Sequence, residues 1–390
     1  MEPKIRIKGY SSEWRPYRIS EIGKTYSGIS GKKKEDFGVG SSQYVTFLNV
    51  LNNAIIDVSI LEPVNIQKAD HQNNVQKWDL FFNTSSETPE EVGMCATIDE
   101  DIPDLYLNSF CFGFRLLESM IDPACFTYMM RGPVGRGIMS VLAQGATRYN
   151  LSKRAFCKVD VFLPTEYKEQ EAIGRFFNSV TALISEYTLR LESLRQFKSA
   201  SLQSMFPQKG KAVPRVRFFG FGEEWDPLRL DDICQKGSSL LSEGSLGPNI
   251  GDYPVYGASG YIQNIPSFEI DKPYVGIIKD GSGVGRARLY PAKSSLLGTM
   301  QYILPKDGYD ISFLAYLLEV FDFSKYVNGS SIPHIYFKDY CGEYVYVPKL
   351  EEQQQIGAFF SALDKQILLQ EAQIEKLLHI KAACLDQMFV

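Results

Sequence analysis

From Ile173 onward the apolar positions of this chain advance by alternate steps of four and three: Ile173, Phe177, Val180, Ile184, Tyr187, Leu191 and Leu194. The stepping continues through Lys198 and Ser201 to Met205. It returns at the far end as Ile356, Phe360, Leu363, Ile367, Gln370, Ile374 and Leu377, then Lys381, Cys384 and Met388. Threes and fours sustained over more than four heptads predict coiled-coil helices, whereas a helix lying on its own globule carries a looser stripe. At 1.5 Å per residue such a stretch makes a rod of about 57 Å. A globule joins the end of the first helix to the start of the second, so the expected closure is an antiparallel pair with one globule at each end.

The two helices are copies. Subtracting 183 lays 352–389 on 169–206 without a gap, and EQEAIGRFFNSV (169–180) faces EQQQIGAFFSAL (352–363). A second echo opens each half: PKIRIKGYSSEWRPYRISEI (3–22) matches PRVRFFGFGEEWDPLRLDDI (214–233) at an offset of 211, so the second half is 28 residues shorter (211 − 183). Internal repetition decides architecture. The expected fold is mixed α/β (α+β), with two pseudo-repeated globules separated by two long antiparallel coiled-coil helices. The expected boundaries are a first globule over 1–163, a helical spacer over 164–207, a second globule over 208–347 and a second spacer over 348–390. Beside the seam, Phe176/Phe359, Phe197/Ile380 and Leu202/Leu385 widen the apolar face beyond what two strands need. They either pack on the chain's own globules or meet helices of a partner protein in a larger bundle.

Each globule reads as short strands with one helix. In the first, QYVTFLNVL (43–51), DLFFNTSSETPEEV (79–92) and LYLNSFCFGFRL (105–116) read as strands and turns, and PACFTYMMR (123–131) as the helix. In the second, YPVYG (253–257), KPYVGIIKDGSGVGRARLYP (272–291) and LLGTMQYILP (296–305) precede a helix in ISFLAYLLEVF (311–321). Equal scaffolds with unlike loops suit two readers of different targets.

Composition narrows the chemistry. The chain of 390 residues has net charge −5, yet its basic residues are partly grouped: Lys32–Lys34, Arg148 with Lys153, Arg154 and Lys158, and Lys209 with Lys211, Arg215 and Arg217. Seven scattered cysteines without a CxxC pair point to reduced thiols in a cytoplasm rather than a disulfide frame or zinc knuckle. The N-terminus has no apolar leader and no run reaches membrane-span length. The three histidines stand in no metal-ligand spacing. GSGVGR (281–286) lacks the third glycine of a dinucleotide loop, and SGISGKKK (27–34) has Tyr26 where a P-loop needs glycine. No methyltransferase or nuclease motif is found, so the chain is read as a non-catalytic binding protein that holds no metal or cofactor of its own.

The repeated helix opening, the PxxRFxGF…EW start and the run YGASG…KDGSGVGR…LLGTMQYI…GSSIPHIYFKDY together resemble the specificity subunit of a type I restriction–modification system, across essentially the whole chain. That resemblance implies two target-recognition domains, each reading one half of a bipartite DNA site, with the coiled coil setting the unspecified gap. It also implies two methyltransferase subunits bringing S-adenosylmethionine, and through them restriction subunits using ATP and Mg. A non-catalytic coiled-coil scaffold whose globules bind proteins is the alternative; it leaves the glycine-flanked polar loops of both halves unexplained.

Base readout needs hydrogen-bonding side chains on loops able to enter a groove. In the second globule these are Lys279, Asp280, Ser282 and Arg286, then Asn328, Ser330, Ser331, His334 and Tyr336. In the first they are Thr84 and Ser85, Arg131 and Arg136 in RGPVGRG, and Gln144, Thr147, Arg148, Tyr149, Asn150, Lys153 and Arg154. Trp14 and Trp225, at matching places, read as core anchors.

Overall fold

The computed structural model describes residues 2–117, 120–208 and 210–390. It divides into two units: Met1–Thr188 with Gln373–Val390, and Leu189–Ala372. The first long helix, Tyr167–Met205, gives its N-terminal half to the first unit and the rest to the second. The second, Leu350–Gln387, gives its N-terminal part to the second unit and its last turns to the first.

The first unit centres on a four-stranded antiparallel sheet in the order Gly23–Ser27, Cys111–Leu116, Leu80–Asn83, Cys95–Thr97. Beside it, Phe37–Val45 pairs antiparallel with Glu62–Val64 and parallel with Leu105–Leu107. Trp14–Arg18 pairs with Asp160–Pro164 to close the ends of the globule. The second unit repeats the plan. Its four-stranded sheet runs Cys234–Ser238, Met300–Pro305, Tyr274–Ile278, Ala287–Tyr290. Tyr253–Gly257 pairs antiparallel with Gly260–Ile265 and parallel with Ser295–Leu296, and Asp226–Arg229 pairs with Tyr344–Val347. A helix of the same placement packs on each sheet, Pro123–Arg131 and Ile311–Val320, each started by an aspartate that accepts a backbone N–H three residues on: Asp122 from Cys125 at 2.7 Å, Asp310 from Phe313 at 2.8 Å.

Two segments differ from the sequence expectation. QYVTFLNVL is not one strand: Phe37–Val45 ends it and Phe47–Asn52 is helical, because the Thr46 hydroxyl accepts the Asn49 N–H at 3.2 Å and caps a new helix. RGPVGRG is not an open loop. Pro133 starts the helix Pro133–Leu142, proline being favoured at a first helical position where no N–H partner is needed.

The repeated helix opening encodes docking onto each unit's own globule. Glu169 is fully buried and Glu352 nearly so. Arg6 pairs with Glu169 through Nε at 2.6 Å and Nη2 at 2.8 Å, and Arg217 pairs with Glu352 at 2.8 and 2.7 Å. The neighbouring glutamines each bridge two backbone segments. Gln170 accepts from Asp122 N and donates to Pro164 O, and Gln353 accepts from Asp310 N and donates to Pro348 O. Gly174 and Gly357 lie against the starts of the globule helices. A Cβ there would meet Asp122 Oδ1 at 2.5 Å or Asp310 Oδ1 at 2.7 Å. Phe177 then stacks on Tyr128 and Phe360 tilts over Tyr316, each at 5.0 Å.

Within each unit the long helices run antiparallel. Phe177 stacks on Phe389 at 5.9 Å in the first, while Phe206 meets Phe360 at 6.1 Å and Arg195 pairs with Glu371 at 2.5 Å in the second. Ile173, Phe177 and Val180 are buried, as are Leu191, Ile356, Phe360 and Leu363; Ile184, Leu194, Ile367, Ile374 and Leu377 are half-buried. Ile173 and Phe177 share the first globule's core, and Ile356, Phe360 and Leu363 the second's, so part of the stripe is globule core rather than helix seam. The flanking apolar residues split. Leu202 is buried in the second core, Phe359 packs on it, and Phe176 and Leu385 pack on the first, which removes Leu202 from the partner-facing set. Phe197 and Ile380 stay exposed. No helix among the described residues is long and apolar enough to cross a membrane.

Candidate nucleic-acid interface

In the second unit the two loops chosen from sequence are tied together by backbone hydrogen bonds. Asn328 and His334 exchange N–H···O bonds at 2.8 Å in both directions, and His334 bridges in turn to Asp280. Gly281 N donates to Pro333 O at 2.8 Å, and Ile335 N to Lys279 O at 2.9 Å. Lys279, Asp280, Asn328 and His334 therefore form one platform, with Ser330 and Ser331 on its exposed tip and Ser282 and Arg286 exposed beside it. The His334 and Tyr336 rings meet edge-on at 5.1 Å, Lys338 lies 5.5 Å from the Tyr336 ring centre, and Lys279 lies 3.7 Å from Asp280.

The first unit builds the same platform from different side chains. Asn150 pairs with Gln144 on one side and Ser85 on the other, Tyr149 pairs with Ser86, and Leu151 N donates to Thr84 O at 2.8 Å. Gln144, Asn150 and Ser85 thus stand where Asn328, His334 and Asp280 stand. Leu151 and Ile335 anchor the two platforms as buried residues, and Phe156 and Tyr340 sit buried five residues beyond. Gly145 and Gly329 turn both tips, with φ of +145° and +85°. A Cβ would lie 2.0 Å from Arg148 O in one and 2.4 Å from Ile332 O in the other, so only glycine fits. Thr147 and Arg148 are exposed on the first tip. Lys153 donates to the Ser27 hydroxyl at 2.7 Å, Arg154 is exposed, and the Thr84 hydroxyl is committed to Phe110 O at 2.8 Å.

Two arginines leave the candidate set. Arg131 donates to the carbonyls of Val50, Leu51, Asn53 and Cys95, and Arg136 to those of Glu90 and Val92. Burial pulls both guanidinium pKa values downward. They knit the globule together and have little reach left for a duplex. Two of the basic groups are also partly spent, Lys32 on Asp70 and Arg217 on Glu352. Lys209 lies outside the described residues. Sequence reading missed Arg288, exposed on the strand that follows Arg286; its charge amid apolar neighbours was the available signal. Among the described residues no cluster of His, Cys, Asp and Glu could hold a metal ion.

Residues 222–379 match the family described as the type I restriction modification DNA specificity domain. No curated protein matches the chain. Among solved structures it is similar to the S subunit of a type I restriction-modification system from M. genitalium, at TM-score 0.72 and 16% identity over 100% of this chain and 99% of that one. It is also similar to a chain from a study of complex assembly and conformational transition in the type I R-M system, at TM-score 0.53 and 15% identity over 97% and 99%.

Proposed function

We propose, from the match of residues 222–379 to the type I restriction modification DNA specificity family, that this chain is the DNA-recognition subunit of such a system, each unit reading one half of a bipartite asymmetric site. The observation that carries the reading is the duplicated platform: one backbone ladder in two copies, bearing Gln144, Asn150 and Ser85 in one and Asn328, His334 and Asp280 in the other. Shared geometry with different donors and acceptors is what two unlike half-sites require. Asn and Gln suit adenine, and an Asp carboxylate accepts from the cytosine amino group. Tip residues Thr147, Arg148, Ser330 and Ser331, with Lys153, Arg154 and Arg286, supply phosphate and further base contacts.

In this reading the chain is not itself an enzyme. The paired long helices set the gap between half-sites, and exposed Phe197 in the second unit and Ile380 in the first each meet a methyltransferase subunit. Those subunits bring S-adenosylmethionine, and restriction subunits joined through them use ATP and Mg. A chain of net charge −5 accepts duplex DNA if the methyltransferases share the phosphate contacts.

Co-expression with its methyltransferase, followed by genome-wide mapping of methylated adenines by single-molecule sequencing, tests this directly. A split motif of two short defined blocks and a fixed gap is expected. A contiguous motif would sink the two-reader reading. An assembled complex that methylates nothing here, yet works with another specificity subunit, would favour a protein scaffold.

A further inference from the structure

The duplicated sheets differ at one edge. Register makes the strands equivalent: Phe114, Leu80 and Thr97 sit side by side in the first unit, as Ile303, Val275 and Leu289 do in the second. In the first unit that edge is covered by the chain itself. Thr97 N donates to Ala54 O at 2.9 Å, and Ile56 N donates to Thr97 O at 2.8 Å, so a short parallel strand lies on Cys95–Thr97. Arg131 clamps the cover through the carbonyls of Val50, Leu51 and Asn53.

The second unit has lost the cover and the clamp together. The offset between equivalent residues falls from 211 at Gly23/Cys234 to 195 at Leu80/Val275, so 16 residues are missing (211 − 195). Glu319 occupies the helix position of Arg131 and pairs with Lys198 instead. Leu289, equivalent to Thr97, turns its N–H and C=O to the same outer side, because alternate residues of an antiparallel strand face away from the neighbour. Among the described residues no other segment bonds to that side of Ala287–Tyr290. The edge instead borders a cleft of about 760 Å³, lined also by Lys365, Ile367 and Leu368 of the second long helix; its carboxylates Glu319 and Asp364 are paired with Lys198, and Glu371 with Arg195. Arg286, Arg288, Leu289 and Leu368 are exposed there, and neither arginine has an ion-pair partner among the described residues. Uncovered edges invite strand pairing.

We propose that Ala287–Tyr290 is a docking edge that receives an extended segment of the methyltransferase subunit by strand addition, in the place that Ala54–Ile56 takes in the first unit. Main-chain bonds supply the pairing and alternate side chains the selectivity. The incoming segment carries acidic groups for Arg288 and Lys365, alternating with apolar ones for Leu289 and Leu368, while Arg286 stays with the duplex. A nucleic acid would use Arg288 but neither the leucines nor the outward backbone groups, so at this edge the peptide is favoured. The inference rests on the reading that this chain assembles with methyltransferase subunits.

Hydrogen–deuterium exchange read by mass spectrometry, on the full chain alone and bound to its co-expressed methyltransferase subunit without DNA, tests it. Amides of 287–290 are expected to exchange about ten-fold more slowly in the complex. Leu289→Pro deletes an outward N–H that the sheet does not use; with an unchanged melting curve it should abolish that protection, and Arg288→Glu should weaken it. A complex that forms with 287–290 unprotected overturns the docking edge and leaves the functional reading standing. Protection that appears only with duplex DNA also overturns it, in favour of a phosphate contact. Failure of the two proteins to associate overturns the reading and this inference together.

Discussion

Single residues fix both platforms. Gly145 and Gly329 occupy backbone conformations closed to other residues, each with a carbonyl where a Cβ would go. Gly145→Ala and Gly329→Ala should therefore each cost about 1–2 kcal/mol locally. Because the tips are exposed, thermal midpoints should barely move while methylation falls at one half-site, the first for Gly145→Ala and the second for Gly329→Ala. Equal loss at both halves would refute the assignment of one platform to each half-site. The thiols offer a second residue-scale check. All seven cysteines are free; Cys95, Cys111, Cys125 and Cys234 are buried, and Cys157, Cys341 and Cys384 half-buried. Burial pushes the Cys95 and Cys234 thiols up to about 12, so almost no thiolate forms there near neutral pH. A thiol reagent at pH 7.5 should label the three half-buried cysteines and spare the other four until denaturant is added, as peptide mapping would report.

At the scale of elements, the two lysines that interrupt the helix stripe are equivalent in sequence and opposite in energetics. Lys198 lies 5.3 Å from the Tyr316 ring centre and pairs with Glu319 at 2.9 Å and Asp364 at 2.8 Å. Lys381 lies 5.7 Å from the Tyr128 ring centre, but Arg131 stands where the second unit has Glu319. Burial first, and Arg131 second, pull the Lys381 pKa below its ordinary value. The unfolded chain thus binds more protons there than the folded one. The Lys381 contribution to stability therefore improves as pH rises from the lowered folded value towards the ordinary lysine value, and the penalty is fully present below that window. Lys198→Met should destabilise by about 1 kcal/mol, since it strands two partly exposed carboxylates. Lys381→Met should be neutral or stabilising. Urea denaturation of both variants at pH 7 checks this, and equal losses would contradict it.

For the whole molecule, the sequence made the duplication legible because it preserves the docking residues themselves: Arg6/Arg217, Glu169/Glu352, Gln170/Gln353 and Gly174/Gly357 each hold a helix to a globule. What it hid was where carbonyls go. Arg131 and Arg136 looked like exposed readers because their partners lie 36 to 81 residues away on unrelated segments. The shared platform was half legible, since the offset of 184 that joins Gly145 to Gly329 also joins Gln144 to Asn328 and Asn150 to His334. Its third member was not, because Ser85 and Asp280 differ by 195 after the intervening loss. Now that the ladder is visible, 144–150 (QGATRYN) and 328–334 (NGSSIPH) are segments of equal length with the same turn and the same flanking pairings. If recognition resides in these tips, placing QGATRYN at 328–334 should alter the bases specified in the second half-site and leave the first half-site and the gap unchanged. Adenine mapping of the chimera with its methyltransferase reads all three quantities at once. A changed gap would mean that the tips bear on the spacing of the half-sites, and an unchanged second half-site would move the reading residues elsewhere on the unit. Loss of methylation with a normal melting curve would mean that the tip works only beside its own Asp280 neighbour, which Asp280→Ser in the chimera should then restore.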